Sequence, residues 1–200
     1  ETFTISEMAP HQRDIIALPW ARIYTTNYDD MISQVKGASF PLFTFDDPRP
    51  RRLPTAFAIH LHGSIRRARE ENADDQLILN SKSYDVITRE HPTWFNEFQR
   101  DRRTFEACYF LGFSLGDHHI SGLMTAGEES VKRTYFVSRT DPTASFVRRA
   151  SEYGEVAPIG FPAFRDLAKT LPKPQRPKDL NALQSFKYLR PGLDSKRLAE

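Results

Sequence analysis

IYTTNYDDMIS, residues 23–33, begins as a strand and ends as a helix, and its middle is polar. Ile23 and Tyr24 belong to a short apolar run from Ala21 to Thr25, set off from an upstream helical pattern (Met8, Ile15, Ile16, Leu18) by Pro19. Thr25, Thr26, Asn27 and Asp29 follow, and a helix is expected from about Tyr28 to Lys36. An amide and a carboxylate at the mouth of a strand meet no packing need. The question is what else shares that mouth.

The same strand-then-helix order recurs along the chain. AFAIHLHGS (56–64) reads as a strand whose imperfect alternation suits cover on both faces. QLILN (76–80) is a short apolar run, and helices are expected around Tyr84–Arg89 and Thr93–Arg103. CYFLGF (108–113) is an almost continuous aromatic-rich strand bounded by Gly112; Ser114, Gly116 and Asp117 then turn into a helix bearing Ile120, Leu123 and Met124. RTYFVS (133–138) is a further strand, Asp141-Pro142 is expected to start a helix by N-cap and N1 chemistry, and a last strand spans Glu155–Ile159. Four prolines between 41 and 54 predict an irregular loop, and Phe161-Pro162-Ala163-Phe164 reads as a turn closing the core.

Strands alternating with helices predict an α/β fold, a Rossmann-like parallel sheet with helices on both faces. One domain is expected over residues 1–170, and the shift to KPQRPK (173–178) predicts a linker or C-terminal arm over 171–200. Ligands of such folds gather at the carboxyl ends of the strands. Asn27 and Asp29, His62 and Gly63, and Gly112 and Ser114 all fall at such ends, so the three clusters are expected to share one rim.

Composition narrows the function classes. Twenty-eight Lys and Arg against 26 Asp and Glu leave a formal charge of +2, which gives no argument for direct nucleic-acid binding. The basic runs at Arg51-Arg52 and Arg66–Arg69 stand close to acidic residues and read as solvated loops. Cys108, the one cysteine of the 200 residues, excludes an internal disulfide and a multi-cysteine zinc cage, and its apolar neighbours make it a small core residue. His60 and His62 could form a metal pair, but no third ligand is evident, so no metal is expected. No apolar run reaches membrane-span length and no signal peptide is visible, so the expectation is a cytoplasmic protein without membrane contact. The start at Glu1, without an initiator Met, suggests a piece of something longer.

Four segments occur together in order: TTNYDD at 25–30, LHGS at 61–64, LILNSKSYD at 77–85 and LGFSLGD at 111–117. In these the chain resembles the sirtuin-like NAD-binding family, in particular its bacterial defence-associated branch, over roughly residues 12–165. The resemblance implies a Rossmann-like domain that takes NAD+ as substrate. It implies Asn27 holding a ribose hydroxyl or the attacking water and His62 as general base. Thr26, Asp29, Gly63, Gly112 and Ser114 would line the nicotinamide and nucleotide contacts, with Ser138 (and Arg139) near the adenosine ribose. Two departures from the family pattern stand out: there is no four-cysteine zinc module, and no glycine-rich phosphate loop lies upstream of Thr25. The first points from deacylation to plain NAD+ hydrolysis. The second suggests that the N-terminal strand and its loop are missing from this piece.

The chemistry of that bond agrees with these residue types. While still bonded to the ribose, the nicotinamide leaving group already carries positive charge, so its departure needs little acid; the site needs polar groups to fix the ribose and a base to take a proton. A histidine suits that base at neutral pH. Taken alone, Asn27 also suits a helix cap, and Tyr84 could line a pocket or pack the core.

The leading expectation is therefore an NAD+ glycohydrolase releasing nicotinamide and ADP-ribose or a cyclic isomer, serving as an NAD-depleting effector of anti-phage defence. The alternative is a non-catalytic NAD+ or ADP-ribose-binding module. Either would work as a homo-oligomer or within a larger complex containing an ATPase or a nucleic-acid-guided partner.

Overall fold

The computed structural model of the protein describes residues 7–68, 76–79, 81–124 and 127–170. The expected arm over 171–200, together with Asn80 and Arg69, lies outside the described residues. The chain forms two compact units that divide between Phe98 and Gln99.

In the first unit α1 (Pro10–Ala17) opens with Pro10 at its first position, where a missing N–H leaves no helical bond unmade. β1 (Arg22–Thr25) leads into α2 (Met31–Lys36), and β2 (Leu42–Thr44) and β3 (Phe57–His60) complete a three-stranded parallel sheet of order β1-β3-β2. All four residues of the central strand β3 are buried, whereas β1 at the edge is half-buried. That is the burial pattern of a parallel sheet enclosed by other elements. α3 (Ser81–Glu90) follows, and α4 (Pro92–Thr104) begins in this unit and runs past its end at Phe98. The core gathers on Phe45, Phe57, Ile59, Leu61, Trp94 and Phe95. The Trp94 ring stacks on Phe43 with centroids 4.9 Å apart, and its indole N–H donates to the Asp47 carbonyl at 2.7 Å, so the large ring is buried with its polar atom satisfied.

The second unit holds β4 (Cys108–Leu111), α5 (His118–Leu123), α6 (Glu128–Val131), β5 (Thr134–Val137), α7 (Ala144–Ala150), β6 (Glu155–Ala157) and α8 (Gly160–Lys169). Its three strands are again parallel, in the order β4-β5-β6, with the central strand β5 buried throughout. Aromatic rings stack along the ladder: Tyr109 on Tyr135 at 5.3 Å and Phe110 on Phe136 at 5.0 Å. The protein is thus an α/β, Rossmann-like arrangement of two parallel three-stranded sheets with helices around them.

Four elements differ from the sequence reading. The proline-rich stretch 41–54 contains β2, a three-residue edge strand that ends before Pro48, Pro50 and Pro54, while the Pro41 carbonyl already accepts from Ala58 N–H at 3.0 Å. α2 begins at Met31 rather than Tyr28, because residues 27–30 form the polar turn at the strand end. α7 is capped by Thr143, whose hydroxyl accepts from Phe146 N–H at 3.2 Å, and not by Asp141. Phe161–Phe164 lies inside α8, since Pro162 falls in the first turn, where no intrahelical N–H bond is lost.

Candidate active site at the strand ends

Thr25, His60 and Thr44 stand opposite one another at the carboxyl ends of β1, β3 and β2. Leu61 N–H donates to the Thr25 carbonyl at 2.8 Å, carrying the β1–β3 ladder one step past the strands. Asn27 and His62 therefore each lie two residues beyond a paired end, on adjacent strands that run about 4.8 Å apart. Thr26, Asn27, Asp29, His62 and Gly63 all belong to this one edge.

The main chain of Asn27 is pinned on both sides of its Cα. Its N–H donates to the Thr25 hydroxyl at 3.0 Å, and its carbonyl meets the His60 ring at Nδ1, 3.1 Å away. The residue itself is exposed. Its amide does not cap α2: Asp30 holds the cap position, and the Asp29 carboxylate accepts from Met31 N–H at 3.0 Å. One oxygen of Asp29 is thereby occupied in starting the helix. Thr26 is half-buried.

His60 is only 4% exposed, and burial holds its imidazole below the usual histidine range. The bond to Asn27 and the charge of Asp29 act against that shift, and Arg67 adds to it. A carbonyl can only accept, so Nδ1 carries the hydrogen and the neutral ring is the donor.

His62 is half-buried between two tyrosines. Tyr28 lies with its ring centre 6.4 Å away at a tilt of 38°, and Tyr84 meets the imidazole edge-on at 5.6 Å. The backbone around it is tied down as well. The His62 carbonyl accepts from Ile78 N–H at 3.0 Å, the Tyr28 hydroxyl donates to the Ile78 carbonyl, and Ile65 N–H donates to the Tyr28 carbonyl at 2.9 Å. Gly63 has φ +89°, and a Cβ there would lie 2.0 Å from the Gln76 carbonyl oxygen. The close approach this glycine permits is to the chain's own segment 76–79, which it lets lie directly on the His62 turn.

Arg66 and Arg67 are engaged in the same region. Arg66 pairs with buried Asp30 at 3.4 Å, and Arg67 with Asp47 at 2.5 Å and the Thr44 hydroxyl at 2.9 Å. These arginines brace the loops after β1 and β2.

In the second unit Gly112 and Ser114 follow β4 and Ser138 follows β5, whose last residues Leu111 and Val137 are paired. Gly112 has φ +70° with the Phe161 ring 3.4 Å from where a Cβ would stand. The Ser114 hydroxyl accepts from Gly116 N–H at 3.2 Å, and the adjacent Leu115, buried, takes a left-handed φ of 59°. The Ser138 hydroxyl donates to the Arg139 carbonyl at 3.1 Å. Asp117 caps α5 as its place in the sequence predicts, accepting from Ile120 N–H at 3.1 Å. Burial pushes the Cys108 thiol up to about 11, against the pull of Arg102, so it is not a nucleophile at neutral pH.

Among the described residues no group of three His, Cys, Asp or Glu side chains could hold a metal ion, and no helix is long and apolar enough to cross a membrane. Sequence reasoning assigned no role to Tyr28. Its place between Asn27 and Asp29 was the available signal, but its contacts with His62 and Ile78 depend on residues 34 and 50 positions away.

The chain is similar to Defense-associated sirtuin 2 of Bacillus subtilis, 23% identical over 141 residues that cover 67% of this chain and 14% of that protein. The chain thus spans about one seventh of the length of this relative. Residues 21–158, which include all the strand-end residues described above, match the SIR2-like domain, and over this greater part of its length the protein belongs to that family.

Proposed function

We propose that the protein is an NAD+ glycohydrolase acting in defence against phage. The observation that carries the reading is the register of β1 and β3, which puts Asn27 and His62 at equivalent positions beyond paired strand ends. Membership in the SIR2-like family supports NAD+ as the substrate, and the name of the Bacillus subtilis relative supports the defence role.

In the proposed step the ribose C1′–nicotinamide nitrogen bond breaks, and its electron pair leaves with nicotinamide, which departs neutral. Water forms the new C1′–O bond and gives its proton to the His62 imidazole. Asn27 presents its side-chain amide to the water or a ribose hydroxyl, and Thr26 and the second oxygen of Asp29 supply further polar contacts. The gain comes from placing base and water against a developing cation at fixed distance. Further domains and partner subunits would decide when the site is used, in line with the small share of the relative that this chain covers.

The test is release of nicotinamide from NAD+ by the full-length protein, with Asn27→Ala and His62→Ala beside it. Loss of turnover in both variants is the expected result. Undiminished turnover in either variant removes its assigned role, and tight NAD+ binding without any product identifies a binding module instead.

A further inference from the structure

Resting on the reading of Asn27 as a catalytic residue, we infer that His60 is its positioning residue. The last residue of the central strand β3 is a histidine where Phe57, Ala58 and Ile59 before it are fully buried apolar residues. A buried polar ring costs stability unless it is bonded, so its presence calls for a bond that an apolar side chain could not make. That bond goes to the carbonyl of Asn27, from a ring itself 4% exposed, and is 3.1 Å long.

The geometry leaves one part of Asn27 available. Thr25 takes the N–H and His60 takes the carbonyl, so the two peptide planes that flank the Asn27 Cα are each held, while the side chain projects from an exposed position. Among the described residues that side chain makes no hydrogen bond. A backbone fixed at both polar atoms with a side-chain amide left over is an arrangement for presenting the amide. Because His60 is two residues before His62 on the same chain segment, the bond also ties the loop of one proposed catalytic residue to the strand that carries the other. His60 does not touch the reacting atoms in this scheme. It sets where Asn27 points.

The experiment compares His60→Leu and His60→Asn in the full-length protein. Leucine removes the donor; asparagine keeps an N–H donor attached, like Nδ1, directly to Cγ. His60→Leu is expected to lower kcat about 10- to 100-fold, the cost of a small misplacement, with NAD+ affinity changed less than threefold. His60→Asn is expected to recover most of the loss. In an Asn27→Ala background His60→Leu is expected to cost nothing more, since there is no amide left to place. A His60→Leu variant as active as wild type overturns the inference, as does equal loss in both backgrounds or an asparagine variant as poor as leucine. Failure of the underlying reading looks different. There the unsubstituted protein releases no nicotinamide, and the inference falls with it.

Discussion

Asn27 and His62 stand two residues beyond Thr25 and His60, which face each other across the β1–β3 ladder. Their separation is therefore set by the strand register together with the Thr25 hydroxyl and His60 ring that hold the Asn27 main chain. Groups held as one unit lose function as one unit. His62→Ala is expected to lower NAD+ turnover about 10²- to 10⁴-fold, the usual contribution of a general base. The Asn27→Ala/His62→Ala double variant should fall little below the worse single variant, as read by nicotinamide release.

Gly63→Ala should damage the fold more than the same change at Gly37. Both glycines have positive φ, +89° and +81°, so each alanine bears backbone strain of about 1–3 kcal/mol. At Gly37 nothing lies within 4 Å of the new methyl, whereas at Gly63 the Gln76 carbonyl oxygen is 2.0 Å away. The collision adds about 1–3 kcal/mol. Urea denaturation of the two variants should show that difference.

Thr143→Ala should destabilise the protein by about 1 kcal/mol, the ordinary cost of a lost N-cap. Asp141→Ala should change stability by less than about 0.5 kcal/mol, because its ion pair with Arg139 is fully solvated, both side chains being at least 75% exposed. Thermal melts of the two variants separate the cap seen in the structure from the one the sequence suggested.

The buried neutral His60 makes stability depend on pH. Its folded-state value is lowered by burial, so the unfolded chain binds the proton more readily. The contribution is complete above the unfolded value of about 6.5 and is lost as pH falls below it. Asp29 opposes this shift and Arg67 reinforces it, and neither reverses its direction. The melting temperature should drop between pH 7 and pH 5, and the drop should be shallower in His60→Asn, which has nothing to titrate there.

Cys108 should resist alkylation. With its thiol raised to about 11, the thiolate fraction at pH 8 is about a thousandth. Iodoacetamide at that pH should label the native protein far more slowly than the same protein in guanidinium, followed by mass spectrometry.

The alternation of elements was legible because buried parallel strands announce themselves as dense apolar runs: CYFL and TYFV were found within two residues of their ends. β2 was not, since three residues paired on one side leave too weak a pattern beside four prolines. The strand-end amide and imidazole at 27 and 62 were legible from motif order. What holds them was less so. His60 stood in the sequence only as half of a metal pair without a third ligand, and the Tyr28, Tyr84 and Gly63 contacts join residues far apart in the chain, with nothing local to mark them. The helix start at Thr143 was missed because Asp-Pro is the stronger local signal, and the competition was decided by which oxygen reaches Phe146 N–H.

The parallel ladder of β1 and β3 is made wholly of main-chain atoms, and Phe57, Ala58 and Ile59 touch it only from above and below. A designer could thus exchange those apolar fillers for others of similar volume without altering the gap across the mouth. The interior and the chemistry can be edited as separate texts, joined at a single word, the histidine that closes the strand.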